Sequence, residues 1–268
     1  LKQNTTLKTL NLGYNHLSEA GIQHLGEALK KNKTLTTFKL SCNKVGAEGA
    51  IAIAEALKLN PTLTTLNLEW NEIGDKGAIA IAEALNHNTT LTNLNLQTNN
   101  ISIEGANALA EVLKHNSTLR TLNLGHNELG DEGAKTIAEA LEHNSTLTTL
   151  TLGWNGIGAE GAQVLGEVLN HNTTLTTLNL KSSDIGDEGA LLVGKALKQN
   201  TTLTTLDLRL IDLSAEGAQN LGKILKHNST LTIQVLEDSW NGEKDGSLRK
   251  WKSLKWSALQ NLYKPAHS

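Results

Sequence analysis

One leucine position recurs every 28 residues along most of the chain, with no insertion between copies. Its successive occurrences are Leu7, Leu35, Leu63, Leu91, Leu119, Leu147, Leu175, Leu203 and Leu231. A strict period of this length indicates one short structural unit used repeatedly, each copy packing against its sequence neighbours. The sequence therefore predicts an open array of stacked units instead of a globule with one central core.

Each 28-residue unit contains one strand pattern and one helix pattern. In the third unit, Leu66 and Leu68 have the spacing of a strand, which sends alternate side chains to opposite faces. In the second unit, Ala50, Ile53 and Leu57 form an apolar stripe at helical spacing. Paired strands lie about 4.8 Å apart, whereas packed helices need about 8–10 Å. The stack must therefore bend, with a parallel β-sheet on the concave side and α-helices on the convex side.

The strand half of each unit follows the pattern L-x-x-L-x-L-x-x-N-x-L/I, as in residues 63–73, and resembles the leucine-rich repeat. With 28 residues and a helical second half, it is similar to the ribonuclease-inhibitor subfamily, which also supplies the sensor arrays of NOD-like receptors. The resemblance covers residues 1–236. It implies an α/β leucine-rich-repeat solenoid, a horseshoe of eight repeats plus a partial ninth strand, and it is much less specific for function.

An asparagine column at the end of the strand segments is interpreted as framework. Its members are Asn15, Asn43, Asn71, Asn99, Asn127 and Asn155. An amide at this inward turn can bond backbone groups of adjacent units that would otherwise be buried unpaired. The column breaks at Ser183, which is expected to replace part of that bonding, and at Ile211, which replaces none. Repeats seven and eight are therefore expected to be the least regular.

A second asparagine column produces the sequence Asn-x-Thr/Ser eight times. These positions are Asn4, Asn32, Asn88, Asn116, Asn144, Asn172, Asn200 and Asn228. They would be glycosylation acceptors in the eukaryotic secretory pathway, but glycans at the same corner of successive units would crowd each other. We interpret the asparagine as a residue that tolerates the left-handed conformation at a helix C-terminus. This interpretation indicates a chain made in a cytosol.

Charge, cysteine content and motifs argue against several classes of function. The formal net charge of −3 gives no basic field for a nucleic-acid backbone, and Cys42 alone cannot form an intramolecular disulfide. No nucleophile elbow, phosphate-binding loop or dinucleotide fingerprint occurs, so we predict neither an enzyme nor a cofactor. A histidine column follows the helices without a second ligand type, so no metal site is predicted; it comprises His87, His115, His143, His171 and His227.

The positions directly after each strand vary from repeat to repeat and form the expected binding surface. Three of the four aromatic residues before residue 235 lie there. Exposed Trp and Tyr on a rigid sheet edge are typical of interface hot spots. The alternative is incidental packing of these rings over the loop. The predicted partner-binding residues are Tyr14, Glu69, Trp70, Gln97, His126, Trp154, Lys181, Arg209 and Leu210.

The repeat pattern fails near residue 236, and residues 237–268 are predicted to be a C-terminal capping segment. Ser247 is a plausible N-cap, and apolar residues recur at helical spacing from Leu248 to Leu262, with a basic opposite side. A repeat array must cover its last open edge, which favours an amphipathic capping helix. The alternative is a basic helix that contacts an anionic membrane or a partner groove.

These observations predict a non-catalytic scaffold that recognises another protein through the concave face and the adjacent loop edge. The chain is expected to be a cytoplasmic monomer that does not bind nucleic acid. Its uniform period also resembles the leucine-rich-repeat effectors that intracellular bacterial pathogens inject into host cells. The alternative function is a membrane-associated or small-GTPase-associated regulator that acts through the basic C-terminal helix, the only predicted route to a membrane.

Overall fold

The computed structural model describes residues 1–226, 228–234 and 253–255. Strands and helices alternate along the array, one of each per repeat. The strands are β1 Thr9–Asn11, β2 Thr37–Lys39, β3 Thr65–Asn67, β4 Asn93–Asn95, β5 Thr121–Asn123, β6 Thr149–Thr151, β7 Thr177–Asn179, β8 Thr205–Asp207, β9 Thr232–Gln234 and β10 Ser253–Lys255. The helices are α1 Glu19–Lys31, α2 Gly46–Leu57, α3 Gly74–Leu85, α4 Ile103–Leu113, α5 Gly130–His143, α6 Ala159–Leu169, α7 Gly186–Leu197 and α8 Ala215–Leu225.

The first nine strands form one parallel sheet in sequence order, which confirms the predicted solenoid. Each strand pairs with the equivalent residues of the next repeat, as Thr65 does with Asn93. The core face carries Leu66 and Leu68, which are almost fully buried, while Thr65 and Asn67 face outward. Because neighbouring strands lie closer together than neighbouring helices can pack, the helices spread apart on the convex side.

The ninth strand keeps the core pattern through a shortened repeat. Leu206 pairs with Ile233, an offset of 27 residues instead of 28. The next core position after Leu231 is Ile233, which comes one residue earlier than the equivalent position in the other repeats, and Ile233 remains fully buried. A slip of one residue without this shortening would turn the core side chain outward. The predicted partial ninth strand is therefore present with its own register.

The asparagine column joins consecutive repeats, as predicted. Asn71 is fully buried, and its Nδ2 donates to the carbonyl oxygens of Leu40 in the preceding repeat (3.0 Å) and Leu68 in its own (2.9 Å). Its Oδ1 accepts from the backbone N–H of Asn43 at 3.1 Å. Equivalent bonds recur along the column to Asn155. One amide thus satisfies polar groups of two turns at once.

The expectation that Ser183 replaces part of this bonding is wrong. Its hydroxyl is buried without a hydrogen-bond partner, because the short side chain does not reach the carbonyl groups that the amide reaches. The backbone nevertheless continues in phase, since the N–H of Gly186 donates to the carbonyl of Ile211 at 2.9 Å. The irregularity of repeats seven and eight therefore lies in side-chain bonding and leaves the strand pairing intact.

The second asparagine column also bonds across repeats, but not in the expected conformation. Asn32 and Asn144, at the ends of α1 and α5, have φ of −76° and −87°, so the left-handed interpretation is wrong for them. Asn88 shows the reason for the residue type: its Oδ1 accepts from the N–H groups of Thr90 (3.0 Å) and Leu91 (2.8 Å), while Nδ2 donates to Leu57 of the preceding repeat at 2.8 Å. The asparagine side chain thus stabilises its own turn and bonds it to the preceding repeat.

Aspartates of alternate repeats cap the helix of the following repeat. The carboxylate of Asp131 accepts from the N–H groups of Gly158 (2.7 Å) and Gly161 (2.9 Å) at the start of α6. Asp75 does the same for α4, and Asp187 reaches Ser214 before α8. A carboxylate at a helix N-terminus satisfies orphan donors and favours the positive end of the helix dipole. Repeats three to eight are thereby linked in pairs.

The C-terminal edge carries a strand where a helix was predicted. Residues 253–255 form β10, which pairs antiparallel with β9, so the helical assignment is wrong for Leu254 and Lys255. The last parallel strand would otherwise present unpaired N–H and C=O groups, which an added strand satisfies. The remainder of the predicted helix, from Ser247 to Leu262, lies outside the described residues, as does His227.

We expect Asp131→Ala to lower the free energy of unfolding by about 1–2 kcal/mol, because α6 loses two charge-assisted bonds at its first turn. Glu132→Ala is the matched control, since the Glu132 side chain is exposed on α5, the helix that also carries Asp131. This variant should change the free energy of unfolding by less than about 0.5 kcal/mol. Urea denaturation followed by circular dichroism measures both. Equal losses in the two variants would contradict the cross-repeat cap.

Candidate functional site

The residue three positions beyond the end of each three-residue strand adopts a left-handed backbone in all eight repeats. We call this set the edge column: Tyr14, Cys42, Trp70, Thr98, His126, Trp154, Ser182 and Leu210, with φ between 54° and 61°. Their N–H groups extend the hydrogen bonding between repeats, as Trp70 N donates to Gln97 O at 3.0 Å and Trp154 N to Lys181 O at 2.9 Å. The fold therefore dictates the backbone here, whereas the side chains range from the exposed ring of Tyr14 to Ser182, whose hydroxyl is buried.

The large apolar side chains of the edge column face solvent. Tyr14 is 77% exposed, Trp70 58%, Trp154 51% and Leu210 39%. A bulky residue in the left-handed region costs on the order of 1 kcal/mol, and Gly or Asn would fit with less strain. These side chains add strain and leave a large part of their surface in solvent, so burial explains only part of their presence. The presence of large exposed side chains on a left-handed backbone favours a role in binding.

A groove runs along the N-terminal half of the edge column. It encloses about 550 Å³ and is lined by Tyr14, His16, Cys42, Asn43, Lys44, Trp70, Asn71, Glu72, Thr98, Asn100 and His126. Tyr14, Trp70 and His126 were among the predicted partner-binding residues, and the structure brings them to one surface. Open clefts with apolar walls and a few polar groups are the usual form of binding sites.

Two predicted polar residues lie beside the groove on the concave face and are held by neighbouring asparagines. Asn95 Nδ2 donates to Glu69 Oε2 at 3.4 Å, and Asn123 Nδ2 donates to Gln97 Oε1 at 2.9 Å. The backbone N–H of Glu69 donates to Asn67 Oδ1 at 2.8 Å. These contacts orient both side chains before any partner arrives.

The remaining predicted residues form the C-terminal half of the edge. The rings of His126 and Trp154 lie 5.8 Å apart at an interplanar angle of 36°. The guanidinium of Arg209 bonds both carboxylate oxygens of the buried Asp207, Nε to Oδ1 at 2.7 Å, which raises the pKa of Arg209. Lys181, which lies in the sequence between Trp154 and Arg209, is half-buried. Leu210 follows Arg209 in the sequence and is exposed.

Sequence reasoning missed several residues of the groove. Cys42 lies in the edge column between Tyr14 and Trp70, and its membership of the varying column was the available signal. Glu72 and Lys44 also line the groove, from a position two residues further along each repeat. That position also varies between repeats, but its contribution to the groove depends on turn geometry that the period alone does not define.

The repeat model described as "Leucine Rich repeat" matches the chain eight times, at residues 3–26, 31–54, 59–82, 87–110, 115–138, 143–166, 171–194 and 199–222. The chain belongs to the leucine-rich repeat family. Leucine-rich repeats generally mediate protein–protein interaction and generally act as non-catalytic scaffolds. The exposed edge column is therefore a candidate interface of a leucine-rich repeat array.

Among curated proteins, no match to this leucine-rich repeat array was found. One similar solved structure is "Leiomodin-1 Actin-Binding Site 2 (ABS2)", at 27% sequence identity and a TM-score of 0.48, covering 55% of this chain and 86% of that chain. At this TM-score the likeness says nothing about a shared partner.

Within residues 1–226, 228–234 and 253–255, no helix is long and apolar enough to cross a bilayer. No group of three or more His, Cys, Asp or Glu side chains in those ranges is placed to hold a metal ion.

We expect Trp70→Asn to change the free energy of unfolding by less than about 2 kcal/mol, because relief of strain in the left-handed backbone offsets part of the buried area that the ring loses. Leu68→Ala, in the core of the same repeat, should instead cost about 2–5 kcal/mol. Denaturant titration compares the two. A loss of several kcal/mol in Trp70→Asn would show that the ring supports the fold.

Proposed function

We propose that the chain is a monomeric, non-catalytic scaffold that binds a partner protein through the edge column and the adjoining concave face. The observation that carries the proposal is the set of exposed rings on strained backbone at Tyr14, Trp70 and Trp154. Hot-spot residues of interfaces are enriched in Trp and Tyr on rigid supports. The partner that this surface binds is expected to lie along the strand ends, across successive repeats.

The rigidity of this surface supports the proposal. Every edge-column residue from Tyr14 to Ser182 is fixed by a backbone hydrogen bond of 2.8–3.0 Å to the next repeat. Glu69 and Gln97 are oriented by asparagine side chains. A preorganised surface loses less conformational entropy on binding than a mobile one. The array is thus suited to present its few large side chains in fixed positions.

We expect the double variant Trp70→Asn, Trp154→Asn to lose the partner that the wild-type chain captures from a cytosolic lysate, measured by quantitative mass spectrometry. The double variant should remain folded with a denaturant midpoint near that of the wild type, since relief of the left-handed backbone strain offsets part of the lost burial.

Leu59→Asn is the matched control for non-specific capture. Leu59 is 63% exposed and lies after α2, at the opposite end of the strands from the edge column. Its variant should retain the same proteins. Capture that survives in the double tryptophan variant would refute the proposed interface.

The proposal includes a cytosolic setting, which the second asparagine column supports. Asn32 is 1% exposed, and its Nδ2, the atom that carries a glycan, donates to the carbonyls of Leu1 and Asn4 at 3.0 Å each. A glycan on this nitrogen would remove bonds that join two repeats. A bacterial effector acting in the host cytosol is the finer form of the proposal, supported by the nearly uniform repeat.

We expect synthesis into microsomes to yield glycosylated chains that fail to fold, because the glycosylated asparagines cannot occupy their buried positions. Limited proteolysis should degrade the glycosylated chain rapidly, while the chain made without microsomes resists. The control is microsomal synthesis with an inhibitor of glycan transfer. A glycosylated chain as resistant as the unmodified one would contradict the cytosolic setting.

The alternative, a regulator acting through a basic C-terminal helix, has less support. Most of that segment lies outside the described residues, and residues 253–255 form a strand. No observation of the described residues favours it over the edge column.

A further inference from the structure

A column of charged residues runs along the outer face of the helices, and its sign changes at α7. The column recurs every 28 residues, near the end of each helix. It is glutamate in the first six repeats and lysine in the last two: Glu27, Glu55, Glu83, Glu111, Glu139, Glu167, Lys195 and Lys223. All eight residues are exposed. The convex face is therefore acidic along this line from α1 to α6 and basic at α7 and α8.

In three of the early repeats the glutamate of this column pairs with a lysine three residues later. Lys30 Nζ lies 2.6 Å from Glu27 Oε1 in α1, and the equivalent pairs of α2 and α4 measure 2.7 Å. Residues at this spacing lie on the same face of a helix, so opposite charges there stabilise the helix and like charges destabilise it. The early repeats thus use this face for intrahelical ion pairs.

In the last two repeats the same spacing brings two lysines together. We call these four residues the lysine patch: Lys195, Lys198, Lys223 and Lys226. All four are exposed, and no ion pair joins any of them to a residue within the ranges that the structure describes. Neighbours on one helix are about 5–6 Å apart at Cβ, and packed helices are about 8–10 Å apart. Four positive charges therefore originate from an area roughly 10 Å across.

Helix stability does not account for the first lysine of each pair. A cation favours the negative end of the helix dipole, and Lys198 and Lys226 at the C-caps of α7 and α8 already supply one. Glutamate at Lys195 and Lys223 would give each helix the ion pair seen in α1, whereas lysine gives repulsion. These two lysines therefore favour a role outside the helix itself.

The acidic residues nearest the patch leave its charge largely uncompensated. On α6, the carboxylate of Glu167 accepts a hydrogen bond from Gln163 Nε2 of its own helix at 2.9 Å. Glu188 and Glu216 lie in the first turns of α7 and α8. Seven residues of helix, about 10 Å, separate each of them from the nearest lysine of the patch. The patch is thus a local positive surface on an otherwise acidic face.

The size and surroundings of the patch favour a short acidic peptide over an extended anionic surface. A membrane or a nucleic acid against the convex side would also meet the exposed glutamates of α3 to α6, which repel it. An extended peptide places alternate side chains about 7 Å apart, which is close to the spacing of lysines on the two helices. Two or three carboxylates of such a peptide can bond ammonium groups of both helices.

We propose that the lysine patch docks a short acidic segment of a partner protein. This surface lies at the ends of α7 and α8, whereas the edge column lies between the strands and the helix starts. The inference goes beyond the proposed function, because it assigns a second binding surface on a different side of the array. The chain can then hold two partners, or two parts of one partner, at the same time.

The test uses a fluorescently labelled hexaglutamate peptide and its uncharged counterpart, hexaglutamine. Binding to the full chain is followed by fluorescence anisotropy at low ionic strength. We expect saturable binding of hexaglutamate, no saturable binding of hexaglutamine, and an affinity that falls as salt is added.

The variant Lys195→Glu, Lys223→Glu introduces the residue that the first six repeats have and should keep or raise the thermal midpoint, since it can pair with Lys198 and Lys226. It should weaken hexaglutamate binding at least roughly tenfold. Lys30→Glu, Lys58→Glu is the matched control with the same change in net charge. Its affinity should stay within about twofold of the wild type, because only distant charges change.

Absence of saturable hexaglutamate binding, or an equal loss in both lysine variants, would overturn the inference. Binding to vesicles of phosphatidylserine and phosphatidylcholine that depends on the patch, without hexaglutamate binding, would also overturn it by assigning the patch to a membrane. The variant Trp70→Asn, Trp154→Asn should bind hexaglutamate as the wild type does, whatever it captures from the lysate. Loss of peptide binding in that variant would overturn the separation of the two surfaces.

Discussion

The structure depends on buried amides that bond two repeats at once. Each unit contributes a strand of only three residues, which is too short to define a sheet without further restraint. Asn71 and its equivalents supply that restraint at one end of the strand in repeats two to six, and Asn88 and its equivalents supply it at the other end along the whole array. Because both columns bond backbone atoms rather than variable side chains, the leucines between them can pack in the same way in every repeat.

Because the asparagine columns bond backbone atoms, the side chains on the outer surface are free to vary. The backbone of the edge column is part of the bonded framework, whereas its side chains are not. A tryptophan at Trp70 and a threonine at Thr98 therefore occupy equivalent backbone positions with nearly equal φ, 56° and 54°. The same backbone that holds the repeats together thus determines where a binding side chain can be placed.

The sequence predicted the fold because the period makes equivalent positions visible: a column that is always leucine, such as that of Leu68, must face the core. It also predicted the rings at Trp70 and Trp154 as the variable surface, although their role in binding stays a prediction. It did not predict their left-handed backbone, since bulky residues rarely adopt it. The bond from Asp131 to Gly158 was also missed, because contacts between residues 27 apart follow from three-dimensional placement.

From repeat three to repeat eight, the aspartate caps make two consecutive repeats, and not one, the structural unit. Asp75, Asp131 and Asp187 are spaced by 56 residues, and each serves a helix whose own repeat lacks the aspartate. A recombination event that deletes 56 residues preserves the match between carboxylate and helix start. One that deletes 28 brings together two repeats of the same type and leaves either a helix without its aspartate or an aspartate without its helix. Within repeats three to eight, a change of two repeats therefore keeps these contacts, and it also changes the number of edge-column positions by two.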